Sequence, residues 1–337
     1  MATTALTPRP QQVELLNAEA MPEEVSQFKI ILTRFLRHRL AVFSAFVLLI
    51  IIILAVVAPY IAPFSPTEIM VGNDFLEPGT KAADGIRVHW LGTDQIGRDY
   101  LSRLLYAARI SLTVAITAQI FAVTIGALVG AVSGYMGGIV DTIAMRVVEF
   151  LLTIPQLPLL LIVSSLVIQN QDAIPIPEAL KNFVAWLLII QPRDATQVVL
   201  LIGILVAFGW MGDSRLMRGV VLSVKEQTFT EAARALGVSD VRIILAHMIP
   251  NALAPMIVSA SLNLSGFIIY EAALSFLGLG IQDPTPTWGN MLSAAQSQMF
   301  QHPWLPLVSG IPIFLCSLAF NFVGDGVRDA LDPRLKM

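Results

Sequence analysis

The polar residues best placed to contact another molecule are concentrated in residues 213–247, between two long apolar stretches. Thr228 is followed three residues later by Glu231, a capping-box spacing that predicts a helix beginning at Thr228. Gly237 predicts its end, because glycine readily adopts the left-handed conformation that terminates a helix. This helix is either a docking helix that inserts into a groove of another protein or a plain amphipathic surface helix. The candidate contact residues are Thr228, Glu231, Ala232, Ala233, Arg234, Leu236 and Gly237.

A carboxylate at Glu271 is the other unusual polar group, because it follows 23 uncharged residues. Such a carboxylate either faces a water-filled path or a partner, or reaches the membrane surface as an interfacial acid. We therefore treat Glu271 as a candidate for a transport path.

Residues able to catalyse a reaction or hold a metal form no recognisable site. No histidine starts the zinc-protease pattern, no G-x-S-x-G sequence occurs, and the phosphate-binding G-x-x-x-x-G-K-[ST] loop is missing from the sequence. The single cysteine, Cys316, cannot form an internal disulfide. We expect no catalytic residues, no metal site and no cofactor bound by this chain.

The composition indicates an integral membrane protein. Of the 337 residues, 55% are apolar and 13% are charged, whereas soluble domains carry about 25% charged residues. The net charge of −3 provides no basic surface for nucleic acid. A soluble enzyme, a nucleic-acid-binding protein and a disordered scaffold are all poor interpretations.

Six membrane-spanning helices are predicted, because a span needs about 20 apolar residues and six stretches lack Asp, Glu, Lys and Arg. They cover residues 40–67, 110–140, 150–171, 195–212, 248–270 and 303–324. A shorter apolar stretch from Phe183 to Gln191 predicts an interfacial or buried helix. Lipid requires every backbone polar group to be satisfied internally, so the expected fold class is all-α and polytopic.

Basic residues predict the orientation. With the amino terminus inside, fourteen of the 21 Lys and Arg residues lie on inner segments, and Arg34, Arg37 and Arg39 directly precede the first span. Both termini are then cytoplasmic. The expected division is a disordered cytoplasmic tail (1–28), a first transmembrane helix (29–62), an extracytoplasmic loop with an interfacial helix (63–109), a five-helix core (110–328) containing the loop 213–247, and a cytoplasmic tail (329–337).

Two further patterns concern helix surfaces. Residues 93–109 predict an amphipathic helix along the outer membrane surface, with Arg98, Asp99 and Arg103 opposite an apolar stripe. Glycines recur every four residues in the second span, which predicts a ridge for close helix packing. They are Gly126, Gly130, Gly134 and Gly138.

Four strings of the sequence resemble one known family. The string Glu231-Ala232-Ala233-x-x-x-Gly237, followed by Ile249-Pro250, resembles the E-A-A loop of ABC-importer permeases. The strings HWLGTDQIGRD at 89–99, SFLGLG at 275–280 and PTPTWGN at 284–290 resemble the peptide/nickel branch of that family. Over roughly residues 30–337 the chain is similar to the C-type permease subunit of dipeptide and oligopeptide importers. Residues 169–197 depart from the family, being longer and more apolar than its usual outer loop.

The resemblance implies a type I ABC-importer permease fold in the plasma (inner) membrane of a bacterium or archaeon, in contact with lipid. The implied partners are a homologous permease subunit, two ATPase subunits that bind ATP and Mg²⁺, and an extracytoplasmic substrate-binding protein. This chain is then a transport subunit and not an enzyme. The implied cargo is a dipeptide or oligopeptide, with nickel chelates or oligosaccharides as the alternative. An ion-coupled secondary transporter is the alternative outside the family.

The resemblance also implies roles for two groups of residues. The 229–236 helix would couple the ATPases to the spans, with Glu231 offering charge and the small residues allowing close approach. An outer group would meet the binding protein or guide substrate inward: Asp94, Arg98, Asp99 and Trp288.

Overall fold

The computed structural model describes residues 27–332, so most of the predicted tails 1–28 and 329–337 lies outside the described residues. The described part is built from helices. They are α1 (Gln27–Arg37), α2 (Arg39–Ile61), α3 (Tyr100–Met136), α4 (Gly138–Leu152), α5 (Gln156–Gln169), α6 (Glu178–Leu188), α7 (Pro192–Gly209), α8 (Met211–Val224), α9 (Thr228–Ala235), α10 (Asp240–Ile243), α11 (Ile249–Phe276), α12 (Trp288–Gln296) and α13 (Trp304–Leu331). Two short antiparallel strands, β1 (Thr80–Lys81) and β2 (Val88–His89), pair between α2 and α3.

Long apolar helices confirm the all-α membrane fold. Within the described residues, five helical segments are long and apolar enough to cross a membrane, namely α2, α3, α7, α10 with α11, and α13. They match five of the six predicted spans. We refer to the end of the bundle that carries α9 as the inner end and to the opposite end as the outer end.

The predicted span 150–171 is not one straight helix. It is divided between α4 and α5, which are bent by 90° at residues 153–155. Pro155 precedes α5 as its N-cap residue, and proline disfavours helical geometry in the residue before it. The count therefore reaches six only if this bent pair is taken as one span.

Helix α3 is the centre of the bundle and begins earlier than predicted. It packs against α2, α7, α8 and α11, and it starts at Tyr100 because the Asp99 carboxylate accepts a hydrogen bond from Ser102 N. The predicted surface helix over residues 93–109 is therefore wrong. Residues 93–99 form turns, and the remaining residues belong to the first turns of α3.

Glycines of α3 allow α8 to approach closely, as predicted for three of the four. A Cβ atom on Gly126 would lie 2.7 Å from Trp210 O, and one on Gly130 would lie 2.7 Å from the Met217 Cβ. Gly134 contacts the next turn of α8. Gly138 is not on this ridge, because α3 ends at Met136 and Gly138 begins α4 with a φ of +55°.

Candidate functional site

Helix α9 has the predicted start and end, but a different start mechanism. It begins at Thr228 with Gln227 as N-cap and no side-chain capping bond, so the predicted capping box does not form. At the other end Gly237 has a φ of +75°. Val238 N donates to Ala233 O at 3.1 Å and Gly237 N to Arg234 O at 2.9 Å, which is the Schellman arrangement that satisfies the last carbonyl groups.

One face of α9 holds it against the bundle. Thr230 is buried and its hydroxyl donates to Val224 O at 3.1 Å. Ala233, three residues later, is buried in an apolar cluster at the inner ends of α3, α8 and α11. The opposite face is exposed and carries the other predicted contact residues. These are Thr228, Glu231, Ala232, Arg234, Leu236 and Gly237.

Tyr135, near the end of α3, connects this inner loop to the central helix. Its hydroxyl donates to Asp240 Oδ1 at 2.9 Å and accepts from Arg234 Nε at 3.3 Å. The Arg234 guanidinium also lies 5.0 Å from the centre of the Tyr135 ring, within cation–π range. The role of Tyr135 is not predictable from the sequence, because nothing local distinguishes a tyrosine that anchors a loop about 100 residues away from one facing lipid.

The inner loop continues into the bundle without a break. Helix α10 passes through a π-helical turn (Ile244–Met248) directly into α11. A π turn shifts the hydrogen-bond register, so that Pro250, which has no N–H to donate, fits into one continuous helix of 37 residues from Asp240 to Phe276.

At the outer end, a four-charge cluster joins three separate segments. Arg98 Nε donates to Asp94 Oδ2 at 2.6 Å and Arg98 Nη1 to Asp283 Oδ1 at 3.1 Å. Arg103 Nη2 donates to the same Asp283 oxygen at 2.7 Å. Burial raises the pKa of Asp283, but the two guanidinium groups outweigh burial and hold its pKa below the ordinary value. The cluster ties the turn before α3 to the loop before α12.

The predicted outer contact residues lie inside the protein. Asp94 is 6% exposed, Arg98 3%, and Asp99 is fully buried, with its carboxylate 2.8 Å from His89 Nδ1. Since charged side chains at a receptor surface must reach solvent, direct contact of these three with a binding protein is not supported. They hold the outer segment together instead.

Trp288 and Glu271 are also buried, at the contact between α11 and α12. Thr287 and Asn290 form a capping box that starts α12 at Trp288. Glu271 is fully buried and its Oε1 accepts from Ser275 Oγ at 2.9 Å. Gly289 packs on the same turn of α11, where an added Cβ would lie 2.9 Å from the Ala272 Cα. Glu271 therefore lies in the interior of this subunit, on the turn of α11 against which α12 packs, and not at an exposed surface.

A second buried carboxylate, Asp213, was missed. It is in the first turn of α8, fully buried, with Gly126 of α3 against its Cβ and Ser259 of α11 bonded to its carboxylate. From the sequence, Asp213 was expected in the inner loop, because it follows the last uncharged residue of a predicted span. Among residues 27–332, no three His, Cys, Asp or Glu residues are grouped as metal ligands.

The chain is similar to known transport proteins along almost its whole length. The family described as "Binding-protein-dependent transport system inner membrane component" matches residues 122–337, and "N-terminal TM domain of oligopeptide transport permease C" matches residues 26–78. The oligopeptide transport system permease protein OppC of Mycobacterium tuberculosis H37Rv is 34% identical over 313 residues, 93% of this chain and 97% of that protein.

Two other relatives come from different transport systems. The glutathione transport system permease protein GsiD of Escherichia coli O1:K1 is 36% identical over 303 residues, 90% of this chain and 89% of that protein. The dipeptide transport system permease protein DppC of Haemophilus influenzae Rd is 35% identical over 304 residues, 90% and 93%. With five apolar spans and a bent pair in place, the chain belongs to the family of binding-protein-dependent transport system inner membrane components, as a multi-pass ABC-importer permease subunit that works with ATPase and binding-protein subunits.

Proposed function

We propose that this chain forms half of the translocation path of an ATP-driven importer of dipeptides or oligopeptides. The second half is a homologous permease subunit, and two ATPase subunits bind the ATP and Mg²⁺. The relatives named for oligopeptide, dipeptide and glutathione transport support a peptide cargo. We place both termini and α9 on the cytoplasmic side, in accord with the basic residues that precede α2.

The observation that supports coupling best is the exposed face of α9. Glu231 and Ala232 project from a helix that is seated through Thr230 and Ala233 and fastened to α3 by Tyr135. We propose that this face contacts the ATPases. Movement of the ATPases then displaces α9, and the spans attached to it move with it.

Gly237 provides a test of this contact. A Cβ atom there meets nothing within 4 Å, so Gly237→Asp adds charge and bulk to the exposed face at the modest cost of a left-handed non-glycine residue. In proteoliposomes with all subunits and the binding protein, we expect uptake and transport-coupled ATP hydrolysis to fall at least about ten-fold. Unchanged uptake and coupled hydrolysis in the assembled complex would contradict the role of α9.

Tyr135→Phe tests whether coupling depends on the attachment of α9 to α3 as well as on the exposed surface of α9. The variant loses the bonds to Asp240 and Arg234, worth about 1 kcal/mol each. We expect fewer peptides imported per ATP hydrolysed. Tyr60→Phe is the matched control, because Tyr60 is 89% exposed. If both variants import the same number of peptides per ATP hydrolysed, Tyr135 does not contribute to coupling.

The cargo class is tested separately by the ligand retained when the partner binding protein is purified. A retained peptide supports the proposal, whereas a nickel chelate or an oligosaccharide overturns the peptide cargo and leaves the coupling proposal intact.

A further inference from the structure

A buried polar cluster joins α3, α8 and α11 within the bundle. Asp213 Oδ1 accepts hydrogen bonds from Ser259 Oγ at 2.7 Å and from Asn263 Nδ2 at 3.3 Å. Gln119 of α3 is 4% exposed, lies beside the same carboxylate, and completes no hydrogen bond with either amide atom. The second oxygen, Asp213 Oδ2, is likewise without a partner. Gln119 and Asp213 Oδ2 are therefore neighbouring polar groups whose pairing with each other is incomplete in this conformation.

The charge of Asp213 is not balanced by an ion pair. The ion pairs found within residues 27–332 do not include Asp213. Arg218 lies about one and a half turns further along α8, but it is paired with Asp141, with an Nε–Oδ1 distance of 2.5 Å. An acidic side chain inside a membrane bundle is costly to keep and marks a path for ions, protons or substrate.

The hydrogen bonds to Asp213 determine which polar atoms of Ser259 and Asn263 remain available to a ligand. The Ser259 hydroxyl proton and the Asn263 amide nitrogen are both directed at the carboxylate, and Asn263 Nδ2 also donates to Ser259 Oγ at 3.2 Å. The Asn263 carbonyl oxygen and one lone pair of the Ser259 hydroxyl are then left for a donor from outside. Asn263 is exposed and Ser259 is half-buried. Oxygen acceptors backed by a negative charge suit a cationic donor such as an ammonium group.

Ser259 also lines an open groove between α8, α11 and α13. The groove has a volume of about 490 Å³, within the range of about 300–1,000 Å³ typical of small-ligand sites. Leu216, Pro255 and Val258 give it an apolar surface. Arg328, which is exposed, and Asp332 line it as well, so the groove carries one charge of each sign at this end. Asn263 extends the same face of α11 by one turn beyond Ser259.

We propose that this groove is a cargo site within the permease, where Ser259 and Asn263 bind the protonated α-amino group of a peptide and Asp213 supplies the charge behind them. The inference rests on the proposed function, because it concerns the same cargo. According to this proposal, the permease itself contributes to the preference for peptides that have a free amino terminus.

The test compares two labelled dipeptides that differ only in the α-amino group, one free and one acetylated. Their affinity for the purified full complex, without binding protein, is measured by fluorescence anisotropy. We expect the free-amine dipeptide to bind at least about ten-fold more tightly, as for a hydrogen bond to a charged group. Asp213→Asn should reduce this ratio to about two-fold or less. Ser265→Ala is the control, because Ser265 is bonded to Asn321 on α13 instead of to Asp213.

Exposed Asn263 provides variants that do not depend on refolding a buried site. Asn263→Ala should lower the ratio and Asn263→Asp should raise it. The proposal is overturned if the wild-type complex binds neither dipeptide, binds both equally, or keeps its preference in Asp213→Asn and Asn263→Ala. It is also overturned if Asp213→Asn alters only the dependence of uptake on Na⁺ or protons.

Uptake into proteoliposomes with the binding protein separates this inference from the proposed function. If the wild-type complex imports no peptide, the peptide-import proposal fails. If it imports peptides while the isolated complex shows no preference for the free amine, only the cargo site at Ser259 and Asn263 fails.

Discussion

Two aspartates of the outer segment make similar contacts but differ in burial. Asp84 accepts from Arg87 Nε and Asp94 from Arg98 Nε, both at 2.6 Å. The Asp84 pair is solvent-accessible, whereas the Asp94 and Arg98 side chains are 8% and 4% exposed. Asp94→Ala leaves buried guanidinium charge under-compensated and should destabilise the protein by about 3 kcal/mol.

Asp84→Ala is the matched control and should change stability little, because exposed ion pairs contribute little. Thermal unfolding of the purified protein in detergent measures both variants. Equal shifts in Tm would show that burial of the outer cluster does not contribute to stability.

Asp283 makes the same cluster sensitive to acid. Its pKa is held below the ordinary 3.8 in the folded protein, so it stabilises the fold above the unfolded pKa, and this contribution is lost as pH falls through the folded pKa. We expect the contribution of Asp283 to be constant from about pH 7 to pH 5 and to decline below about pH 4. Asp283→Asn should be less stable at neutral pH and lose less stability on acidification. An identical acid profile for both proteins would contradict this.

Sequence alone predicted the limits of α9 but not the surroundings of the charged groups. Gly237 is a local signal, and its left-handed conformation determines where α9 ends. The environment of Arg98 depends on Asp283, 185 residues away. A polar face on a helical pattern looks the same whether it meets water or buried counter-charges. For this reason the outer residues were expected at a surface and are found in the interior.

The lengths of apolar stretches predicted which helices exist, but not their directions. Residues 150–171 lack Asp, Glu, Lys and Arg over the length of a span. The chain nevertheless bends by 90° just before Pro155, between α4 and α5. Helix α3 was expected to start at residue 110 because charges precede it. It starts ten residues earlier, since tertiary partners such as Asp283 neutralise Arg103. Local hydrophobicity predicts neither the pairing of Arg103 with Asp283 nor the bend between α4 and α5.

Close packing of α3 on α8 predicts opposite effects for two glycine substitutions. Gly130→Ala puts a Cβ 2.7 Å from the Met217 Cβ, and overpacking of this kind costs about 1–3 kcal/mol. Gly203→Ala, in α7, meets nothing within 4 Å and should be neutral or stabilise by up to about 1 kcal/mol. Thermal unfolding compares the two; destabilisation by Gly203→Ala and not by Gly130→Ala would contradict the packing.

The orientation of the whole molecule can be tested with single cysteines. The chain has one cysteine, Cys316, which is buried, so Cys316→Ala gives a background for Leu236→Cys and Val71→Cys. Both positions are open, at 84% and 95% exposure. In intact cells we expect an impermeant maleimide to label the cysteine at position 71 and to reach position 236 only after permeabilisation. Labelling of position 236 in intact cells would place α9 on the wrong side for contact with ATPases.

The unbroken helix from Asp240 to Phe276 has a mechanical consequence. Its 37 residues extend about 55 Å at 1.5 Å per residue, from the turn beside α9 to the place where Gly289 rests on Ala272. The segment is helical throughout, and its π turn at Ile244–Met248 and the internal Pro255 are the positions where it can bend. We expect a displacement of α9 at the inner end to be passed along this helix to α12 at the outer end.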